Sequence, residues 1–135
     1  MKLKVKHLMN DLGLKIIAGK KGLENEIKAE MLSRPGVELA GFLDFFDNER
    51  LILIGSKEDH FMNLLPEDVK RTRIEDIMMQ KPPAIIFSVN VEISDLFIEL
   101  GEKYYFGIIK SDTRTTALSS VLYAYLHSKL APRTM

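Results

Sequence analysis

The chain has 135 residues, 46% hydrophobic and 28% charged, with 19 basic and 19 acidic side chains and no cysteine. One domain of this size holds a core without disulfides or structural metal, and a chain without thiols has no cysteine nucleophile, redox pair or thiolate zinc site. Zero formal charge supplies no field to attract nucleic acid or an anionic membrane, and no stretch approaches the roughly 20 apolar residues of a membrane span or a signal-peptide core, so the expected location is the cytoplasm.

Val5, Leu8, Met9 and Leu12 recur at i, i+3, i+4 and i+7, which predicts an amphipathic opening helix ended by Gly13. Residues 14–18 and 26–32 read as two strands joined by a glycine-containing turn, Gly19-Lys20-Lys21-Gly22. Leu51–Ile54, Ala84–Phe87 and residues 105–109 are apolar runs of the kind that form strands covered on both faces.

Residues 66–79 open with proline and two acids and carry only a partial stripe (Val69, Ile74, Ile77, Met78), which predicts a helix on the surface. Ile93, Leu96, Phe97 and Leu100 make a cleaner stripe that Gly101 is placed to end. Leu118, Val121, Leu122, Tyr125 and Leu126 make a longer one stopped by Pro132. Apolar runs alternating with helices build βα units, so the predicted fold is α/β, in three layers around a mostly parallel central sheet. No internal repeat is present, and Lys81-Pro82-Pro83 is the single candidate hinge.

Few segments carry chemistry. The chain has no G-x-x-x-x-G-K-[ST] loop and no G-x-G-x-x-G fingerprint, and Gly19-Lys20-Lys21-Gly22 lacks the spacing for either. In Lys57-Glu58-Asp59-His60 the acids and the histidine are sequence neighbours, which face different directions on a helix, so the cluster reads as a solvated first turn. His7 and His127 have no companion at ligand spacing. Ser111-Asp112-Thr113-Arg114-Thr115-Thr116 lies between a buried strand and the last helix, where N–H groups and hydroxyls suit an anion or simply cap the helix. In Ser33-Arg34-Pro35-Gly36, Pro35 and Gly36 turn the chain, and Arg34 is either a surface charge or a fork for a carboxylate or phosphate.

The ordered series VKHLMNDLGLKIIAG, SRPGVELAGFLDFF, ERLILIGSKEDHF, KPPAIIF and IIKSDTRTTALSSVLYAYLHSKLAP resembles the amino-terminal domain of the HPr kinase/phosphorylase family. The resemblance implies a fold similar to the first domain of Mur ligases. It also implies a non-catalytic regulatory or assembly domain at residues 1–130, with residues 131–135 beginning a linker to a P-loop kinase domain. The full-length family protein uses ATP or pyrophosphate to phosphorylate a serine of the phosphocarrier HPr. It removes that phosphate by phosphorolysis, requires magnesium, and assembles as a hexamer chiefly through catalytic domains. The nucleotide and magnesium sites belong to the catalytic domain, so this chain alone is expected to be inactive. Its expected partners are that domain and, through it, HPr.

On the same resemblance Ser33, Arg34, Asp112, Thr113, Arg114, Thr115 and Thr116 are expected to gather at strand ends and meet an anionic ligand or the catalytic domain. A free-standing module sensing a phosphorylated metabolite or nucleotide through residues 111–116 is the alternative. A hydrolase built on Asp59 and His60 ranks far below both.

Overall fold

A computed structural model describes residues 2–44 and 46–131. The chain opens with α1 (Val5–Leu12), β1 (Lys15–Ala18), a 3-10 turn (Lys20–Glu24), β2 (Leu32–Ser33) and α2 (Gly36–Leu39). It continues through β3 (Leu51–Ile54), α3 (Ser56–Asn63), α4 (Glu67–Met79), β4 (Ala84–Phe87), α5 (Asp95–Tyr104), β5 (Gly107–Lys110) and α6 (Thr115–Leu130). The strands form one sheet in the order β1-β5-β4-β3-β2, parallel from β2 to β5, with β1 antiparallel on the β5 edge.

Both faces of the sheet are covered, which is why β3 and β4 are apolar at every position. Side chains alternate between faces along a strand, so a strand under two layers needs apolar residues on each. Ile52, Ile54, Ile85, Phe87 and Ile108 pack with Met62 of α3, Ile74, Ile77 and Met78 of α4, and Phe97 and Leu100 of α5. Leu51, Leu53, Ala84, Ile86 and Ile109 face the other way, against Val5 and Leu8 of α1 and Leu118, Leu122 and Leu126 of α6. The fold is a three-layer α/β domain, as the alternation of runs and stripes predicts.

Helix α1 ends as expected, with Gly13 left-handed at φ 63° and its N–H on the Met9 carbonyl. Its start is fastened by His7, whose Nδ1 accepts the Lys4 N–H at 3.0 Å.

Several local expectations are corrected. The predicted hairpin of residues 14–18 and 26–32 does not form. Ile16 of β1 pairs with Ile109 of β5, whereas β2 lies at the opposite edge and pairs with β3. The 3-10 turn separates the two strands. It packs Gly22 so tightly on the strand β5 entrance that an added Cβ would lie 2.6 Å from the Gly107 nitrogen. The second strand shrinks to two residues, although Ile27 still enters the core.

Helix α4 covers one face of the sheet, burying Ile74, Ile77 and Met78 of its partial stripe and exposing Glu67, Asp68 and Thr72. Val121 is 45% exposed, so the α6 stripe on the core is Leu118, Leu122 and Leu126, with Tyr125 half-buried against them. Strand β5 begins at Gly107 rather than 105, since Tyr105 itself ends α5 in the left-handed conformation. Gly101 therefore sits inside α5. Pro132 and most of the expected linker at 131–135 lie outside the described residues.

Gly101 is a contact residue: a Cβ there would lie 2.5 Å from Ile108 Cγ1 and 3.1 Å from the Phe106 carbonyl oxygen. Alanine gains about 1 kcal/mol of helix propensity, but overpacking a filled interface costs about 1–3 kcal/mol. Gly101→Ala is therefore expected to lower the urea midpoint at unchanged m-value. A raised midpoint would show that α5 has room to move off β5.

Candidate functional site

The four parallel strands deliver their carboxyl ends to one edge of the sheet, the edge at which open α/β sheets bind ligands. Four segments meet there: Ser33-Arg34 after β2, Gly55 after β3, Ser88 after β4 and residues 111–114 after β5. Ser33, Gly55, Ser88 and Ser111 are buried, while Arg34, Asp112, Arg114 and Thr116 are exposed.

Arg34 is held by a carboxylate from the same chain. Its Nε donates to Glu58 Oε1 at 3.1 Å, and its Nη2 donates to Oε1 at 3.0 Å and Oε2 at 3.1 Å. Oε1 also accepts the Gly55 N–H at 2.7 Å. Glu58 occupies the third position of α3, from which a glutamate reaches back to the free N–H at the helix start, and the positive end of the helix dipole favours its charge. The Glu58 side chain is only 8% exposed and the Arg34 side chain 39%. A buried carboxylate is costly unless donors surround it, and the planar guanidinium supplies two in one fork.

Gly55 is the floor of this arrangement. Its φ of −108° suits any residue, so the constraint is space. A Cβ would lie 2.6 Å from Thr115 Oγ1, 2.8 Å from Thr115 Cγ2 and 3.2 Å from Arg34 Nη2. Arg34 and Thr115 thus crowd the space that a side chain at this glycine would fill. Thr115 Oγ1 lies 3.0 Å from Ser88 Oγ, joining the start of α6 to the end of β4.

The remaining bonds are also internal. Ser111 Oγ accepts the Thr113 N–H at 3.0 Å, and the Thr113 carbonyl accepts the Val89 N–H at 3.0 Å. Lys110 Nζ donates to the carbonyls of Ser88 and Val89, at 3.0 and 3.3 Å, and to that of Val91. Ser33 lies within β2, beside Ile52 of β3. Asp112, Arg114 and Thr116 form the outward rim.

The expected solvated turn at residues 57–60 is corrected for Glu58. It is buried because Arg34 and Gly55 supply three hydrogen-bond donors to it. Its signal in the sequence is a glycine followed three residues later by glutamate, the pattern of a helix start with a back-reaching acid. Ser88 and Lys110 carried no local signal, since their partners are distant in the chain. Asp59 and His60 do not converge: His60 is exposed, and the Asp59 carboxylate accepts a long bond from Asn63 Nδ2 at 3.4 Å. Burial raises the Asp59 pKa above the ordinary aspartate value, while Lys70 and Lys110 pull it down.

A cleft of about 500 Å³ opens at the opposite strand ends, lined in part by Asn25, Lys81, Pro82, Pro83 and Tyr105. It adjoins the expected hinge, where Lys81 has a φ of 59° and both prolines are buried. ATP and magnesium do not fit the residues present. No glycine-rich phosphate loop occurs in the chain, and no three His, Asp or Glu side chains among the described residues are grouped to hold a metal ion.

Fold and site together define a three-layer α/β domain whose strand-end arginine is committed to its own carboxylate. Residues 3–126 match the family described as HPr serine kinase N terminus. The chain is 37% identical over 133 residues to the HPr kinase/phosphorylase of Bacillus subtilis (strain 168), covering 98% of this chain and 43% of that protein. The HPr kinase/phosphorylase of Geobacillus kaustophilus (strain HTA426) is 36% identical with the same coverage. The chain therefore belongs to the HPr serine kinase N-terminal family, and it spans less than half the length of these relatives.

Gly55→Ala should split the junction of Arg34, Thr115 and Glu58 and cost about 1–3 kcal/mol, by overpacking. An unchanged denaturation midpoint would contradict the crowding. Because the Asp59 pKa is raised, the folded chain holds that proton more tightly than the unfolded chain. The associated stability is greatest below the ordinary aspartate range and is lost as pH rises through the raised value. Asp59→Asn should therefore melt higher than the parent at pH 7, with the gap closing near pH 3. Equal melting temperatures at pH 7 would contradict this.

Proposed function

We propose that this chain is the non-catalytic regulatory or assembly domain of a cytoplasmic HPr kinase/phosphorylase. In this reading the longer protein phosphorylates a serine of HPr with ATP or pyrophosphate and magnesium, removes that phosphate by phosphorolysis, and works as a hexamer. The nucleotide and metal bind a catalytic domain beyond these residues. Membership of the N-terminal family carries the reading, and the absence of membrane-length apolar helices among the described residues agrees with it.

The state of Arg34 selects between roles for the strand-end edge. Arg34 Nε and Nη2 already hold Glu58. Arg34 is then a clamp that fixes the edge. The exposed rim of Asp112, Arg114 and Thr116 is the part of the predicted set that faces outward to a neighbouring domain. This favours an accessory domain over a sensor of phosphorylated metabolites.

The purified chain, incubated with HPr, ATP and magnesium, should transfer no phosphoryl group above the enzyme-free control. Stoichiometric labelling of HPr by the chain alone would overturn the non-catalytic reading.

A further inference from the structure

The cleft of about 500 Å³ lies where α4 and α5 finish and β4 and β5 begin, and its size suits a small-molecule ligand. Its walls hold the only two residues other than glycine with a positive φ among the described residues, Lys81 at 59° and Tyr105 at 60°. That geometry is costly for any residue with a Cβ, and a bulky ring is uncommon in it. Helix α1 makes the same kind of ending with Gly13 at φ 63°, so turning the chain does not require a tyrosine. Backbone strain held at a cleft points to a side chain kept for binding rather than for the turn.

Tyr105 and Met79, 55% and 62% exposed, give the cleft an aromatic ring and a flexible thioether. Lys21 Nζ lies 4.8 Å from the Tyr105 centroid and anchors the ring. Charges of both signs line the same walls. Lys28, Lys81 and Glu49 are exposed and form no ion pair among the described residues, and Glu26 meets Lys2 at 3.9 Å. Helices α4 and α5 also bring their carboxyl ends here, the negative poles of their dipoles. Asn25 donates its Nδ2 N–H to the Pro83 carbonyl at 3.1 Å, which leaves its Oδ1 as an acceptor.

We propose that this cleft binds a small zwitterion carrying an aromatic ring, a ligand of the amino-acid type. The ring meets Tyr105 and Met79, and the carboxylate meets Lys28 and Lys81. The ammonium meets Glu49, the Asn25 Oδ1 and the helix ends. A plain anion would face Glu26 and Glu49 as well as the lysines, and a plain cation would face Lys28 and Lys81. A ligand with both charges satisfies each wall. The proposal rests on the cleft alone and is independent of the kinase reading.

L-Tryptophan is the probe, since the chain contains no tryptophan and indole fluorescence then reports the ligand alone. Its anisotropy, titrated with the chain, is expected to saturate, with half-saturation below about 1 mM. Tryptamine, which lacks the carboxylate, and indole-3-propionate, which lacks the ammonium, should each bind about fivefold more weakly or worse. Tyr105→Gly and Lys81→Gly should weaken binding by about the same factor while melting no lower than the parent, because glycine takes the left-handed geometry freely. An anisotropy that stays flat up to about 1 mM chain overturns the proposal. Equal binding of all three indoles overturns the zwitterion, and binding undiminished in both glycine variants overturns the cleft as its place. Glycine variants that melt below the parent assign Lys81 and Tyr105 to the fold and overturn the reading of their strain.

Discussion

One buried carboxylate sets the geometry of the strand-end edge. Glu58 accepts the Gly55 N–H and both arms of the Arg34 fork, so β2, β3 and α3 are fixed by one side chain. Its charge is tolerable only because those donors replace water, and the donors stay in place because the charge is there. Gly55 makes the arrangement compact enough for Thr115 to approach beside Arg34 and join Ser88. Removing the Arg34 guanidinium would leave the Glu58 carboxylate buried and short of donors.

The sheet beneath supplies the rigidity this edge needs. Leu51 to Ile54 and Ala84 to Phe87 are all 2% exposed or less, split between two cores on opposite faces. A strand buried on both faces cannot slip by one residue without mismatching both layers. The carboxyl ends of β3 and β4 are therefore fixed in register, as are the residues that follow them. Lys110 adds a further tie by bridging the carbonyls after β4 from the end of β5.

What the sequence disclosed follows the range of the forces involved. The apolar runs of β3 and β4, the stripe of α1 and the Gly13 cap are local patterns, legible because burial on one or two faces dictates them. The pairing of β1 with β5 was not legible, since two short strands separated by glycines read equally as a hairpin. The end of α5 was misplaced because Gly101 serves contact with Ile108, while Tyr105 accepts the left-handed cap that glycine usually takes. At the site, Arg34 drew attention through Ser33-Arg34-Pro35-Gly36. Its partner, 24 residues away, did not, because sequence neighbours made Glu58 look like one acid in a polar turn.

The chemical consequence is that the arginine most suggestive of an anion site is held by a carboxylate of its own domain. A double-mutant cycle on Arg34→Met and Glu58→Gln, followed by urea denaturation, tests this most directly. Discounted for the exposed guanidinium, the account predicts a coupling of about 1–2 kcal/mol, with each single variant destabilised and the double variant recovering part of the loss. A coupling near zero, together with a raised melting temperature of the parent chain in millimolar phosphate, would contradict it and return Arg34 to the role of ligand-binding residue.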